Sequence, residues 1–552
     1  MFALTAPRYL KTTILAIAAL ILLAAGCTSP TAGPTQASPA EATQAPAVAT
    51  EEAPAPVTRE NLLVIADSST WHDIDPRSSY SDEPRVLHQV YETLVVYNPP
   101  GSADRLSPGL ATSWDVNEDG TEWTFHLREG VLFHDGTLFT AEAVKASIEA
   151  TSALGLGAAW EWGPVEEIEI VDDYTVKLHL SYAAPMDVIA SSQYGAYMLS
   201  PGTASNDAEW FNQGNAVGTG PYKLVEYVPG ERAVLSRFDD YWGGWREGQF
   251  DRVIMQPVAD PATRVQMIQG GEVDITESVP KESLEGLQAD PNLQVYSEFS
   301  YLNWHWKINT KHPPLDDVRV RQALAYSFPY ADCVTIGQPT LAANDQPIPS
   351  GMFGNVDTLR TYSTDMVKAK ELLTEAGHPD GGFSLLLTWF SGASLQEKCA
   401  ILWQTNLNEL GIDLQIQEMA WEAMWELAMG DPTQPSVQDI GAAIWWPTYV
   451  TPYDYLLAQY HCEDSPVFNW SYYCNPELDN LMDTAFTLEA TDPAQAEALY
   501  TQASQMILDE VLSLFIADEK QNVVLGSDIE GFHFNPAYTG ARFMVYQLTR
   551  SP

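Results

Sequence analysis

Beyond residue 60, short apolar or alternating runs take turns with longer amphipathic ones almost to the C-terminus. That interleaving constrains the fold most. Strands that alternate with helices must bury their apolar faces against one another in α/β layers. Residues 61–66 (NLLVIA) read as a buried strand and 83–95 as a helix. A helix is expected at 140–151, with Thr140 as N-cap and Glu142 in the first turn. Others are expected at 260–270, 317–327, 364–376, 395–410, 418–429 and 490–510. Strands are expected between them at 223–228, 252–258, 301–308, 384–389 and 412–418. Two alternating runs break the rhythm: 114–127, around Asn-Glu-Asp-Gly, and 165–180, around Asp172-Asp173. They read as hairpins dominating 110–200. The expected fold class is α/β, in lobes, with a mixed α+β insertion; no repeat of fixed period is present.

At 552 residues and 45% apolar composition the chain exceeds one domain and can bury a large core. Lys and Arg number 27 against 74 Asp and Glu, a formal charge of −47. Such a surface repels phosphate backbones and anionic headgroups, which disfavours a nucleic-acid partner or a basic membrane-binding patch. Disorder does not account for the acidity, because 17 Trp, 25 Tyr and 18 Phe need burial or a ligand.

The N-terminus reads as an address followed by a tether. Arg8 and Lys11 precede an apolar run at 12–25, too short to span a bilayer comfortably, which ends at Ala24-Ala25-Gly26-Cys27. This resembles a bacterial lipoprotein cleavage box, with Ala24 at the usual Leu position. The resemblance implies a signal peptide at 1–26 and lipidation at Cys27; ordinary cleavage with a free cysteine is the alternative. Acyl chains would hold the protein on a membrane at about 0.8 kcal/mol per buried methylene. Residues 27–60, rich in Ala, Pro, Thr, Ser and Glu, read as a disordered linker.

Cys462 and Cys474 bracket a polar, aromatic loop and are read as a disulfide, worth about 3 kcal/mol for a loop of this size. Cys333 and Cys399 lie in helix-like segments and could pair or be buried thiols. No catalytic residue, metal site or cofactor is expected. The chain has no Gly-x-Ser-x-Gly elbow, no His-Glu-x-x-His and no Walker loop. Gly218-Thr219-Gly220-Pro221 lacks the third glycine of a phosphate loop, Pro221 removes one of the amides a phosphate needs, and the segment reads as a tight crossover between domains. His305 and His312, seven apart, are weak evidence for a metal, and His134-Asp135 sits in a turn-like FHDG.

Several segments accumulate into a resemblance. They are IDP at 74–76, YETL at 91–94, PGLATSW at 108–114, DGTEWTFHLREGVLFHDG at 119–136 and FTAEAV at 139–144. VGTGPY at 217–222, DDYWGG at 239–244, GGEVDI at 270–275, PPLDDVRVRQALAYS at 313–327 and AKELLTEAG at 369–377 complete the set. In this order they resemble the extracellular solute-binding proteins of family 5, the dipeptide, oligopeptide and nickel type that feeds ABC importers. The resemblance covers about 61 to 550. It implies the type II periplasmic-binding-protein fold with two hinged lobes. Lobe I would be 61–97 with 215–305 and 513–552, the insertion domain 98–214, and lobe II 306–512. A small solute, oligopeptide or oligosaccharide, would be captured between closing lobes and delivered to permease subunits by a monomer. The protein would be lipid-anchored on the outer face of the cytoplasmic membrane or in the periplasm.

In peptide-binding members an acidic residue after a Trp in the second lobe pairs with the ligand's amino end. That position falls here on Thr448, which cannot make the charge-assisted bond, and Asp454 sits past it. The stretch is instead aromatic. Candidate ligand-binding residues are Trp71, Trp304, Trp389, Trp445, Trp446, Thr448 and Tyr449, whose flat faces suit sugar rings or apolar side chains. Trp304 and Trp306 share one strand face and stand or fall together. A secreted polysaccharide hydrolase and a sensor are the competing functions.

Overall fold

The computed structural model describes residues 61–463, 467–538, 540 and 542–551. The expectations for 1–60, Cys27 included, fall outside the described residues. An eleven-stranded sheet runs through this region. Its path is Asp413–Met419, Ser384–Phe390, Ile440–Trp445, Leu293–Ile308, Ser513–Gly526, Ile275–Glu277, Leu62–Asp67, Arg252–Pro257, Arg232–Arg237 and Tyr222–Val228, with Leu341–Ala343 pairing off the path to Ser513–Gly526.

Two stretches of this sheet are parallel. Leu62–Asp67 lies between Arg252–Pro257 and Ile275–Glu277, and Ser384–Phe390 lies between Asp413–Met419 and Ile440–Trp445. Covered parallel strands bury both faces, which is why LLVIAD and SLLLTWF read as continuous apolar runs. Each stretch has its own core. Leu63, Ile65, Met255 and Leu525 anchor one; Leu324, Leu387, Trp403 and Ile440 anchor the other. The long antiparallel strands Leu293–Ile308 and Ser513–Gly526 join them, paired from Leu293↔Gly526 to Lys307↔Ser513 with a register shift between Phe299 and Leu302.

The hairpins at 110–200 form a separate four-stranded antiparallel sheet of Ala111–Val116, Glu122–Leu127, Thr175–Leu180 and Val165–Asp172. The helix Ala141–Leu154 packs on it. Thr140 holds the N-cap position but its side chain makes no capping bond.

Other boundaries moved for identifiable reasons. The helix expected at 83–95 is Pro84–Val90, and Val95–Tyr97 is a strand. The chain extends at Tyr91, turning Glu92 toward three donors on two later segments. Glu92 accepts from Thr219 Oγ1 at 2.8 Å, Tyr241 Oη at 2.8 Å and Trp242 Nε1 at 3.0 Å. YETL, VGTGPY and DDYWGG thus meet on one carboxylate. The glycines of VGTGPY make this possible: a Cβ on Gly218 or Gly220 would lie 1.9 or 2.7 Å from Val90 O. The expected helix at 418–429 begins only at Trp421, because the strand Asp413–Met419 runs on to Met419. The strand expected at 301–308 starts eight residues earlier, at Leu293, where a polar sequence and the register shift hide the alternation.

Cys333 is bonded to Cys399, joining the helices Tyr330–Gly337 and Ser394–Glu409, and Cys462 is bonded to Cys474. Among the described residues, no helix is long and apolar enough to cross a membrane.

Candidate ligand-binding site

In open α/β sheets ligands gather outside the carboxyl ends of parallel strands. Here those ends are Asp67 and Glu277 in one stretch and Phe390, Met419 and Trp445 in the other. The segments that leave these ends touch. Tyr80 Oη and Thr448 Oγ1 are 2.6 Å apart, and Ser192 Oγ donates to Thr448 O at 2.9 Å.

The centre of the contact is Asp454. Thr451 caps the helix Pro452–Tyr460 by accepting from Tyr453 N, and Pro452 occupies the first turn. Asp454 follows in that turn and folds back on the preceding loop. Its Oδ2 accepts from Thr448 N at 3.0 Å and Trp445 Nε1 at 3.4 Å. Its Oδ1 is buried without a partner. Burial outweighs these donors and the helix N-terminus, and pushes the carboxyl up to about 7.

Glu161 approaches from the other side, on the single turn Ala159–Trp162. It is 1% exposed, and neither carboxylate oxygen has a hydrogen-bond partner. Ser192, beside it, directs its hydroxyl at the carbonyls of Tyr194 and Thr448 instead. Burial chiefly, with the Asp454 charge adding to it, holds Glu161 well above the usual carboxylate range. Gly195 keeps the space open, since a Cβ there would lie 2.9 Å from Glu161 Oε1. Three buried carboxylate oxygens, on two groups close enough for the charge of one to act on the other, therefore lack hydrogen-bond partners. Groups like these either hold a proton or meet a cation.

An aromatic wall runs off from Asp454 along the second parallel stretch. Trp445 stacks on Trp446 at 6.4 Å and meets Phe468 edge-on at 5.0 Å. Trp470 is 5.7 Å from Trp421, which is 6.0 Å from Phe390. Lys307 lies behind, 5.7 Å from the Trp445 ring and 5.2 Å from that of Trp470, and donates to Phe468 O at 2.6 Å. Burial pushes its ammonium down to about 7. The Cys462–Cys474 bond clips the loop that carries Phe468 and Trp470.

Of the residues singled out from sequence, Trp445, Trp446, Thr448 and Tyr449 come together around Asp454. Tyr449 is buried against Trp160 at 5.6 Å. Trp304 and Trp389 lie in the core of the second stretch with Trp306, and Trp304 Nε1 donates to Glu519 at 3.1 Å. Trp71 lies in the core of the first. Thr448 bears no charge, and its amide donates to Asp454 Oδ2. His305 is buried against Phe515, whereas His312 pairs with Asp439 at 2.5 Å. Sequence reasoning missed Glu161 and Tyr80. The available signal was an acidic residue between two Trp in WEWG, a segment with no period to explain it.

Comparison with known proteins agrees with this architecture. The chain is 28% identical over 490 residues to the probable D,D-dipeptide-binding periplasmic protein DdpA of Escherichia coli K12, covering 86% of this chain and 92% of that one. It is 27% identical over 492 residues to the glutathione-binding protein GsiB of Pectobacterium atrosepticum, covering 87% and 93%. The periplasmic binding protein DppA of Helicobacter pylori, solved with the peptide STSA, superposes with a TM-score of 0.74 at 24% identity, covering 89% of this chain and 98% of that one. The fold is that of type II periplasmic binding proteins, and the family binds solutes rather than transforming them. Residues 105–466 match the model for bacterial extracellular solute-binding proteins, family 5, middle, and the chain belongs to that family.

Proposed function

We propose that this protein captures a small solute with a protonated amine, of the peptide type, between the region around Glu161 and Tyr80 and the region around Asp454, and hands it unaltered to the permease of an ABC importer. The observation that carries this reading is the pair Asp454 and Glu161, three of whose buried oxygens lack donors. An ammonium brings three donors and a positive charge to that place. Relatives whose names refer to D,D-dipeptides and glutathione support it. The lobes are 61–97 with 215–305 and 513–552, and 306–512, with 98–214 inserted. The paired strands Leu293–Ile308 and Ser513–Gly526 are the hinge. A lipid on Cys27 holds the monomer at the outer face of the cytoplasmic membrane or in the periplasm.

Calorimetry with pooled di- to pentapeptides tests the amine. Free-amine pools should bind about 100-fold more tightly than N-acetylated ones, the worth of a buried charge-assisted contact. Equal binding of the two pools overturns the reading. The aromatic wall favours a second reading, an oligosaccharide stacked on Trp445, Trp446 and Trp421. Binding of cello-oligosaccharides but of no peptide would establish it.

A further inference from the structure

The helix that carries Asp454 starts in an unusual way. Thr451-Pro452-Tyr453-Asp454 has the sequence of a capping box, in which the acidic third residue reaches back to the amide of the capping Thr. Here Thr451 N donates to Tyr449 O at 2.9 Å instead, and Asp454 Oδ2 accepts from Thr448 N and Trp445 Nε1. The cap is thus held without Asp454. Thr451 Oγ1 donates its proton to Glu489 Oε2 at 2.5 Å, which leaves its lone pairs to accept from Tyr453 N at 3.3 Å. Glu489 is 1% exposed and also accepts from Tyr500 Oη at 3.2 Å. It directly follows the helix Pro476–Leu488, where the negative end of the dipole disfavours a carboxylate. Burial pushes its carboxyl up, and the Arg105 charge opposes that. Arg105 Nη1 lies 3.4 Å from Glu489 Oε1. It arrives from 98–214, the stretch that holds Glu161, whereas Glu489, Thr451 and Asp454 belong to 306–512. Asp187, in the same stretch as Arg105, attracts the guanidinium too, so Arg105 keeps a counter-charge when Glu489 withdraws.

We propose that Glu489 is a positioning residue for solute capture: it sets Asp454 through the Thr451 cap, and Arg105 locks it as the two regions close. The proposal rests on the solute-capture reading for what Asp454 meets, and on the Arg105–Glu489–Thr451 chain for how it is placed. The test uses the full chain with Glu489→Gln, Arg105→Met and the double variant. A glutamine has one acceptor oxygen where Glu489 uses two, so it cannot serve both Thr451 and Arg105. Arg105 is part-exposed, and its exchange tests the lock even where Glu489→Gln does not fold. Hydrogen exchange over 445–456 in the free protein needs no solute. It should run about tenfold faster in Glu489→Gln and stay native in Arg105→Met. The preference for free-amine over N-acetylated peptides should fall about tenfold in Glu489→Gln. Arg105→Met should keep that preference but release bound peptides about fivefold faster, Arg105→Lys should recover most of the loss, and the double variant should release no faster than Glu489→Gln. A lowered melting temperature with native exchange and native preference makes Glu489 mere support and overturns the proposal. Faster exchange with the preference intact overturns it too, since Asp454 is then placed without the cap. Additive losses in the double variant overturn the lock. If the native protein binds both pools alike, or neither, the amine reading falls; faster exchange in Glu489→Gln then leaves the positioning of Asp454 standing, and native exchange removes both.

Discussion

Glu92 and Asp454 titrate alike and are used differently. Burial pushes each carboxyl up to about 7. Glu92 accepts from Thr219, Tyr241 and Trp242, with the guanidinium of Arg128 stacked over Trp242 at 4.1 Å. Its oxygens are fed by segments that arrive from far along the chain, and in return it fixes them. Asp454 has one oxygen fed and one bare, and it faces Glu161 with two more bare. A perturbed carboxyl alone therefore does not mark a site. What separates scaffold from site is whether the donors are already supplied.

The largest expected effect breaks the scaffold side. Glu92→Ala strands three donors at once and should cost about 3–5 kcal/mol in denaturant unfolding. Asp454→Asn should leave stability at pH 7 unchanged or raise it, because the ionised form is the strained one. If Glu92→Ala proves harmless and Asp454→Asn unfolds the protein, the comparison is inverted.

Next comes pH. Each carboxyl has a folded-state pKa near 7, above its ordinary value of 3.8 for Asp454 and 4.5 for Glu92. Between those limits the folded state holds a proton that the unfolded state has released. Stability is thus greatest below about pH 4 for these groups and is lost as pH rises to about 7, on the order of 4 kcal/mol per carboxyl. The melting temperature of the free protein should fall across that window, and Asp454→Asn should remove part of the slope. Affinity for an amine-bearing peptide should run the other way. It rises with pH, because the ammonium meets Asp454 in its ionised form.

Smaller again is the loss of binding. Asp454→Asn combined with Glu161→Gln should weaken free-amine peptides about 100-fold and leave N-acetylated ones unchanged. Equal losses on both pools would mean that the pair shapes the pocket without reading charge.

The same contrast explains what was legible in the sequence. Strands covered on both faces, such as Leu62–Asp67, announce themselves by composition, and the hairpins by alternation around their turns. YETL, VGTGPY and DDYWGG are visible as motifs because each supplies a donor, a glycine or the carboxylate to one fixed junction. The site is harder to read because its parts come from unrelated segments and need only converge in space. Asp454 reaches Thr448 by a turn into a helix, which linear spacing does not encode, and Glu161 belongs to a single turn without periodicity. Among the tryptophans, exposure is not written in the sequence. Trp304 and Trp446 look alike there, but one is enclosed with its indole nitrogen on Glu519 and the other is half-buried beside Trp445.

The smallest effect sharpens the comparison at Thr448, which belongs to both categories at once. Its amide holds Asp454, while its hydroxyl meets the Tyr80 hydroxyl at 2.6 Å. Thr448→Val keeps the amide and the shape and removes only the hydroxyl link. In the proposed release both hydroxyls regain water, so the net worth of the link is about 0.5–1.5 kcal/mol. Affinity for free-amine peptides should therefore fall about threefold to tenfold, mostly through faster release, with the preference over N-acetylated peptides intact. Stopped-flow Trp fluorescence reads the release rate directly. A loss of the amine preference in this variant would mean that the Thr448 hydroxyl, and not the Asp454 carboxylate it neighbours, reads the ligand's charge.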